Sequence, residues 1–201
     1  MKSPYKITGF NYTTSMGTNI KSTGIVRRID ELGRVVIPKE IRKTLRIREG
    51  DTLEFLTNRE ELILKKFSSI SLLKPNLMQI CTQLSNHLER DCLIVDTDNI
   101  ICVSSAKNKA ILGTIMSDKM QKIIRNRKVF TANNKGEVKT VKIYEEDINE
   151  YENQIVVPII SNGDCLGGIV VYDFNKEKYF TPMDEKLVKL SASFLAMQID
   201  V

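Results

Sequence analysis

The chain has 201 residues, of which 42% are hydrophobic and 27% are charged, values that are ordinary for a folded protein of one or two domains. No apolar run approaches the roughly 18 residues that a membrane span needs, and residues 1–19 contain no apolar segment of the kind found in secretion signals. Four widely spaced cysteines and one histidine argue against a structural zinc site and against a disulfide framework. We therefore expect no metal and no cofactor, and free thiols, which fit a reducing cytoplasm.

The positive charge is concentrated near the N-terminus. Residues 1–66 contain 14 Lys and Arg against 8 Asp and Glu, whereas residues 67–201 contain 16 against 17. Between residues 21 and 48 basic residues outnumber acidic ones nine to three, and most are arginines, whose planar guanidinium groups suit phosphates and guanine edges. A solvated surface is the alternative for a basic segment, but the contrast predicts two modules, of which the first binds a polyanion.

The chain begins with a polar segment, which is followed by a pattern of short elements. Residues 1–19 are polar and aperiodic, and we interpret them as a tail or an expression remnant, with Met16 as an alternative start. Two short β-rich runs, residues 23–29 and 34–37, predict strands on either side of Asp30–Gly33, a turn in which glycine permits a positive φ.

The basic unit continues with a short helix and a hairpin. Pro38 predicts the start of a two-turn helix, because its fixed φ and missing N–H cost least in the first turn. Residues 53–56 and 62–64 predict two strands joined by a turn. The resulting β-β-α-β-β unit of about 45 residues is too small for a sufficient core of its own. Without a metal or a disulfide, we expect it to fold as an intertwined homodimer.

The remaining residues predict one larger α/β module. In chain order, the predicted elements are a helix at 77–89, strands at 92–95 and 100–103, mixed helix and loop at 105–128, strands at 138–143, 154–160 and 165–172, and a helix capped by Thr181. Two neighbouring apolar stripes run along the last helix: Leu187, Leu190, Phe194 and Met197, and Val188, Ala192, Leu195 and Ile199. A face this wide covers a sheet and still meets another helix, which predicts an oligomer interface.

Residues 21–66 closely resemble the AbrB-type DNA-binding domain, most specifically in the stretch TGIVRRIDELGRVVIPKEIR. The resemblance implies a β-rich, swapped-hairpin barrel formed by a dimer. It implies DNA contacts at Arg27, Arg34, Arg42 and Lys43. The lysine departs from the arginine common at its position and lacks the bidentate fork. Arg28 joins this set because of its charge and its proximity.

Three segments of the larger module resemble the C-terminal half of a GAF domain: Val157–Ile159, Gly163 and Leu166–Val171, followed by the closing helix. The fold class is therefore expected to be α+β in two domains, a swapped-hairpin AbrB-type barrel and a GAF-like antiparallel sheet flanked by helices.

These resemblances set the expected domain boundaries. The AbrB-type domain is expected at residues 20–67, a linker at 68–76 and the GAF-like domain at 77–201. GAF-like domains often bind a small molecule between the sheet and its cover, here residues 105–150. Two roles remain for this domain, a ligand sensor and a simple oligomerisation module.

The pair of domains resembles a family of late forespore regulators of endospore-forming bacteria. The resemblance implies a cytoplasmic, nucleoid-associated transcription regulator, which activates some promoters, represses others and is not an enzyme. Its implied partners are double-stranded DNA and copies of itself, as a homodimer through the first domain and a homotetramer through the GAF-like domain. The expected sequence preference is loose, with much of the readout coming from DNA shape.

Two other classes of function remain as alternatives. Some GAF-fold proteins reduce free methionine sulfoxide with clustered cysteines, and Cys92 and Cys102 could approach each other across a hairpin. AbrB-type domains also occur in antitoxins, although these usually end in a disordered toxin-binding tail rather than in a helix. The lone His87 is expected to be a packed or exposed helix residue, and the basic stretch 119–128 a solvated helix face.

Overall fold

The computed structural model describes residues 11–13, 19–21, 23–58 and 61–199. The described residues fall into two compact units, the first ending at Asp51 and the second starting at Thr52. None of the helices among them is both long and apolar enough to cross a membrane.

Two very short strands form an antiparallel ladder in the first unit. They are β1 (Asn11–Thr13) and β2 (Asn19–Lys21). The segment expected to be an aperiodic tail thus includes one strand, while its residues 1–10 and 14–18 lie outside the described part of the chain.

The strands predicted at residues 23–29 and 34–37 do not form in the single chain, where both runs lack regular secondary structure. The predicted turn between them does form. The backbone N–H of Asp30 donates to the carbonyl of Arg34 (3.1 Å), that of Gly33 donates to the carbonyl of Asp30 (3.0 Å), and Gly33 has a φ of +74°. A strand needs a continuous ladder of hydrogen bonds to a neighbouring strand, and no such ladder forms on residues 23–29 and 34–37 of the single chain.

The short helix of the first unit, α1 (Lys39–Thr44), begins directly after Pro38, as predicted. Gly50, with a φ of +83°, lies in the turn that follows. There the Asp51 carboxylate accepts a hydrogen bond of 2.8 Å from the backbone N–H of Arg48. The first unit therefore ends in a locally closed turn.

The second unit opens with the predicted hairpin, formed by β3 (Leu53–Asn58) and β4 (Glu61–Lys66). The segment expected to be a linker contains more structure than predicted. A 3₁₀ helix spans Ser69–Leu73, and α2 (Lys74–Leu88) begins three residues earlier than expected. Ile70 is fully buried, and this apolar anchor holds the segment in place.

Five antiparallel strands form the central sheet of the second unit. They are β5 (Asp91–Val95), β6 (Ile100–Val103), β7 (Phe130–Asn133), β8 (Asn153–Ser161) and β9 (Asp164–Asp173), in the spatial order β6-β5-β9-β8-β7. The helices are a 3₁₀ helix (Ala106–Ile111), α3 (Asp118–Arg125) and α4 (Pro182–Met197). Strands β8 and β9 are buried along most of their length, because both faces of the sheet are covered.

The sheet separates two cores. Helices α2 and α4 pack on one face, around Leu77, Ile94, Ile159 and Leu195. Helix α3 and the segment that follows β7 cover the other face, around residues such as Met120. This three-layer arrangement agrees with the predicted antiparallel sheet flanked by helices.

The predicted strand at residues 138–143 is wrong, and the edge strand is β7 instead. Side chains take the place of a strand partner here. Gln154 accepts a hydrogen bond from the backbone N–H of Val141 (3.0 Å) and donates one to its carbonyl (3.1 Å). Asp147 accepts from the backbone N–H of Ile143 (3.0 Å). With these groups satisfied, the segment covers the sheet without joining it.

Helix α4 begins with the predicted cap. Thr181 accepts from the backbone N–H of Asp184 (3.2 Å), and the Asp184 carboxylate accepts from that of Thr181 (2.8 Å). The two predicted stripes have different environments. Val188, Ala192 and Leu195 are buried against the sheet, whereas Leu190, Phe194 and Met197 are 68%, 51% and 71% exposed.

Candidate nucleic-acid interface

One carboxylate organises the turn of the first unit. Asp30 Oδ1 accepts hydrogen bonds from the backbone N–H groups of Leu32 (3.0 Å) and Arg34 (2.7 Å). Asp30 Oδ2 accepts from Arg34 Nε at 2.7 Å. Aspartate commonly closes turns through its own backbone neighbours, so the local sequence fixes both the turn and the direction of the Arg34 side chain.

These contacts favour the ionised form of Asp30. The backbone N–H of Arg34 and then its guanidinium hold the pKa of the Asp30 carboxyl below its ordinary value. The ion pair uses Nε of Arg34. The two Nη groups are left for other contacts, on a side chain that is 70% exposed. A phosphate or a base edge can therefore bind Arg34 without breaking its contact with Asp30.

All five residues predicted to contact DNA lie on the surface: Arg27, Arg28, Arg34, Arg42 and Lys43. Three of them flank the turn, and two lie in the last turn of α1. Arg27 Nη1 donates to the carbonyl of its neighbour Val26 (3.0 Å). Within the described residues no hydrogen bond joins any of the five to another, so the single chain leaves them as separate exposed cations.

Between residues 23 and 51 the same unit encloses no apolar side chain. No residue between 23 and 51 is buried. Six large apolar side chains there are at least half exposed: Val26, Ile29, Leu32, Val35, Val36 and Leu45. A patch of this kind is typical of a surface that another chain covers.

Three cysteines pack together in the core between α2 and the sheet. Cys81 Sγ donates to the carbonyl of Cys92 (3.1 Å), and Cys102 lies opposite Ile94, two residues along β5 from Cys92. The neighbouring Cys81 thiol and burial raise the pKa of the Cys102 thiol. Buried, protonated thiols act as small apolar groups, which fits their apolar surroundings in the sequence.

A groove of about 410 Å³ runs between α2 and α4. It is lined by Ile80, Leu84, His87, Leu187 and Phe194, among others. His87 is an exposed helix residue, and among the described residues no group of three or more His, Cys, Asp or Glu is placed to hold a metal ion. The groove continues the exposed apolar stripe of α4.

On the other face of the sheet, buried side chains pack between the sheet and the segment that covers it. Met116, Met120, Ile143 and Tyr151 are buried there against the sheet. Asp147 is fully buried and accepts from Ile143 N, Asn149 N, Asn149 Nδ2 and Tyr151 Oη. Sequence reasoning missed Asp147, because an acidic residue in a polar stretch gives no sign of burial.

A second acidic residue missed by sequence reasoning joins two parts of the second unit. Asp98, in the turn between β5 and β6, pairs with Lys66 at the end of β4 and with Arg125 at the end of α3. Arg125 Nη2 lies 3.2 Å from Asp98 Oδ1. The only mark of Asp98 in the sequence is its place near Asp96, between the strands predicted at 92–95 and 100–103.

Solved structures identify the fold of this sheet and its helices as GAF-like. The chain is similar to the GAF domain of an Acinetobacter phosphoenolpyruvate-protein phosphotransferase, with a TM-score of 0.53 and 16% identity over 64% of this chain and 82% of that one. It is also similar to a type II free methionine-R-sulfoxide reductase from Thermoplasma acidophilum, with a TM-score of 0.50 and 12% identity over 65% and 94%. At such identities the similarity concerns the fold alone.

Sequence relatives are more specific. Residues 76–200 match the family profile of the stage V sporulation protein T C-terminal region, described as a transcription factor. Residues 26–70 match the profile of the antidote-toxin recognition protein MazE, a bacterial antitoxin. The chain is 42% identical over 182 residues to stage V sporulation protein T of Bacillus subtilis (strain 168), covering 90% of this chain and 99% of that protein. The chain therefore belongs to the stage V sporulation protein T family.

The N-terminal region has relatives of its own. Over 58 residues it is 57% identical to the transition state regulatory protein AbrB of Bacillus subtilis (strain 168), covering 29% of this chain and 54% of that protein. The predicted pairing of an AbrB-like region with a GAF-like region, in a protein of the transcription-factor class, is thus confirmed.

Proposed function

We propose that this protein is a transcription regulator of sporulation genes that contacts double-stranded DNA through Arg27, Arg28, Arg34, Arg42 and Lys43. The observation that carries the proposal is the exposed, arginine-rich turn of the first unit in a chain that belongs to a family of transcription factors. The 57% identity over 58 residues with a transition state regulatory protein supports a regulatory role. The regulator acts at the forespore nucleoid, as an activator at some promoters and a repressor at others.

The DNA-binding form is a homodimer in which two copies of the first domain, residues 20–67, exchange hairpins. Two features support this arrangement: the runs on either side of the Asp30–Gly33 turn lack regular secondary structure, and apolar side chains between residues 23 and 51 are exposed. Pairing the runs of two chains gives them a continuous strand ladder and covers their apolar side chains in one step. A two-fold axis then presents two sets of basic residues to one duplex.

DNA recognition in this arrangement comes from turns and strand ends. Helix α1 has only six residues, too few for a recognition helix that lies along the major groove. If the dimer makes about eight phosphate contacts, log K falls with log salt with a slope of roughly −7. The preference for sequence is loose, because phosphate contacts carry no sequence information directly.

The second domain, residues 77–201, joins dimers into a homotetramer. The exposed stripe of Leu190, Phe194 and Met197 and the adjoining groove support this role. The alternative role for this domain is a small-molecule sensor. The close packing between the sheet and the segment that covers it favours the oligomerisation module instead. A ligand would have to bind one arrangement of the tetramer better than another to change DNA affinity.

The experiment that tests the proposal is a salt titration of DNA binding by the full-length protein on a long mixed-sequence duplex. Wild type is compared with Arg34→Ala, with Arg34→Lys and with Lys186→Ala as a control. Lys186 is exposed on α4, so the control removes the same charge from a different surface. We expect a steep slope for wild type and a large loss of affinity for Arg34→Ala.

The lysine variant separates two effects of Arg34. It keeps the charge but loses the planar fork, and we expect it to bind with intermediate affinity. Binding that is insensitive to salt, or a loss in Lys186→Ala as large as that in Arg34→Ala, would contradict the proposed interface.

An antitoxin is the second candidate function, because residues 26–70 match the MazE profile. The region from α2 to α4, however, consists of helices packed on a sheet rather than of an irregular segment. Limited proteolysis of the full-length protein tests this point. A rapidly digested C-terminal region would favour the antitoxin, whereas a resistant fragment extending from about α2 through α4 would favour the regulator.

A further inference from the structure

The second unit has a concentration of positive charge of its own. Residues 119–128 contain five basic residues and no acidic one, whereas the rest of residues 67–201 contains 11 basic and 17 acidic residues. A module that is nearly neutral as a whole is therefore strongly polarised. Solubility does not require this, since interspersed charges of both signs provide it equally well.

Helix α3 presents these charges to solvent. Its inner side buries Met120, Gln121 and Ile124, and its outer side exposes Lys119 and Lys122, which lie three residues apart and are therefore neighbours on the surface. Arg127 and Lys128 follow the end of the helix and are exposed as well. We call these four cations the α3 basic face.

The α3 basic face is not neutralised by the protein itself. Arg125, the fifth basic residue of the segment, is turned to Asp98. None of the four other cations has a carboxylate partner among the described residues. The acidic groups at the start of the helix are Asp118 and Glu145, and a Glu145 oxygen accepts from the backbone N–H of Asp118 (2.9 Å).

The helix dipole explains only part of this charge. Cations near the C-terminus of a helix are stabilised by the dipole, which accounts for Lys122 and for the residues that follow the last turn. Lys119 lies in the first turn, where the dipole disfavours a cation. Four neighbouring cations also repel one another, so the arrangement is most favourable when an anion lies across it.

We propose that the α3 basic face binds the phosphate backbone of duplex DNA, as a second contact with the DNA bound by the first unit. The cations are spread along a helix about 12 Å long and the residues that follow it, which suits a row of phosphates better than a single small anion. Lysine predominates, and lysine binds phosphate as a point charge without reading bases. This contact adds affinity and extends the footprint without adding sequence preference, and it rests on the function proposed above.

The test is the salt titration of the full-length protein on the same long duplex, with a double variant and a matched control. K122Q/K128Q removes two charges from the α3 basic face. K109Q/K186Q removes two exposed charges from other elements. We expect the slope of log K against log salt to become shallower in the first variant by about 2 for each bound chain, or about 4 for the homodimer, with a several-fold loss of affinity at low salt and no comparable change in the control.

The outcomes separate this inference from the proposed function. An unchanged slope in K122Q/K128Q, together with a large loss in Arg34→Ala, would overturn the inference alone. Equal losses in the two double variants would also overturn it, because net charge and not the surface would then be responsible. If Arg34→Ala binds like wild type, the proposed function itself fails. Thermal melting curves equal to that of wild type confirm that the surface substitutions leave the fold intact.

Discussion

The hydroxyl of Tyr151 donates a hydrogen bond to Asp147 Oδ2 at 2.6 Å, deep in the second unit where the covering segment meets the sheet. Asp147 has no solvent exposure. It also accepts hydrogen bonds from donors on Ile143 and Asn149. One carboxylate therefore holds the segment that covers one face of the sheet.

Replacing Asp147 with alanine tests that role. Asp147→Ala leaves the buried N–H of Ile143 and the hydroxyl of Tyr151 without an acceptor, and we expect a loss of about 3 kcal/mol in the free energy of unfolding. Asp147→Asn keeps one acceptor oxygen and should lose less. Urea unfolding followed by circular dichroism measures both, and equal stability of the alanine variant and wild type would contradict the assignment.

Tyr151 also predicts a decline in stability at alkaline pH. Burial and the hydrogen bond to Asp147 raise the pKa of the Tyr151 hydroxyl. The native state therefore keeps a proton that the unfolded chain releases above about pH 10, so stability is fully present below this pH and falls above it. Tyr151→Phe should lose about 1 kcal/mol at neutral pH but decline less steeply. Parallel slopes above that pH in the two proteins would contradict the prediction.

Gly167 of β9 lies against the backbone of β5. A Cβ atom at this position would lie 2.0 Å from the carbonyl oxygen of Val95, so the two strands would have to separate. We expect Gly167→Ala to destabilise the second unit by about 3 kcal/mol. The matched control is Gly136→Ala, where the nearest atom would be 3.4 Å away. Thermal melting of the two variants should differ clearly.

The exposed stripe of α4 predicts a change of assembly on substitution. Leu190→Lys combined with Phe194→Lys places two charges on the proposed contact, and burying unpaired charges in an interface is costly. Sedimentation velocity should show dimers where wild type forms tetramers. Ile148→Lys, at a side chain that is 90% exposed elsewhere in the unit, is the control and should leave the tetramer unchanged.

The first unit predicts an association that depends on its apolar side chains. Val36 is 74% exposed in the single chain, and the proposed exchange of hairpins would bury it. Val36→Glu should reduce both dimer formation and DNA binding, while the second unit keeps its melting transition. Backbone amide exchange of residues 23–51 should slow as wild-type concentration rises. Exchange that is independent of concentration would speak against the dimer.

Periodicity in the sequence predicted the larger module well. Strands β5, β6, β8 and β9 and helix α4 were all expected, because their apolar residues follow periods that burial on a sheet or helix imposes. The strand prediction at 138–143 is wrong for a physical reason. Its alternating pattern reflects packing on the sheet, while its hydrogen bonds go to the side chains of Gln154 and Asp147, which a periodicity cannot reveal.

The sequence predicts which residues form the candidate site, but not how they are arranged. The charge contrast and the Asp30–Gly33 turn are visible in the sequence, and the need for a second copy stays a prediction. The ionic contact of Arg34 with Asp30 depends on the conformation of the turn. The strands expected around it depend on a continuous ladder with a neighbouring strand, which does not form at residues 23–29 and 34–37 of the single chain.

The three buried thiols make the second unit a reporter of its own opening. Cys81, Cys92 and Cys102 come from a helix and two strands that enclose them. An alkylating reagent reaches them only when this layer separates, since a thiol reacts as an accessible thiolate. Their labelling rates therefore measure how often the structure opens locally between α2 and the sheet. Slower labelling in the presence of DNA, or of an added small molecule, would therefore show that the added molecule stabilises this layer.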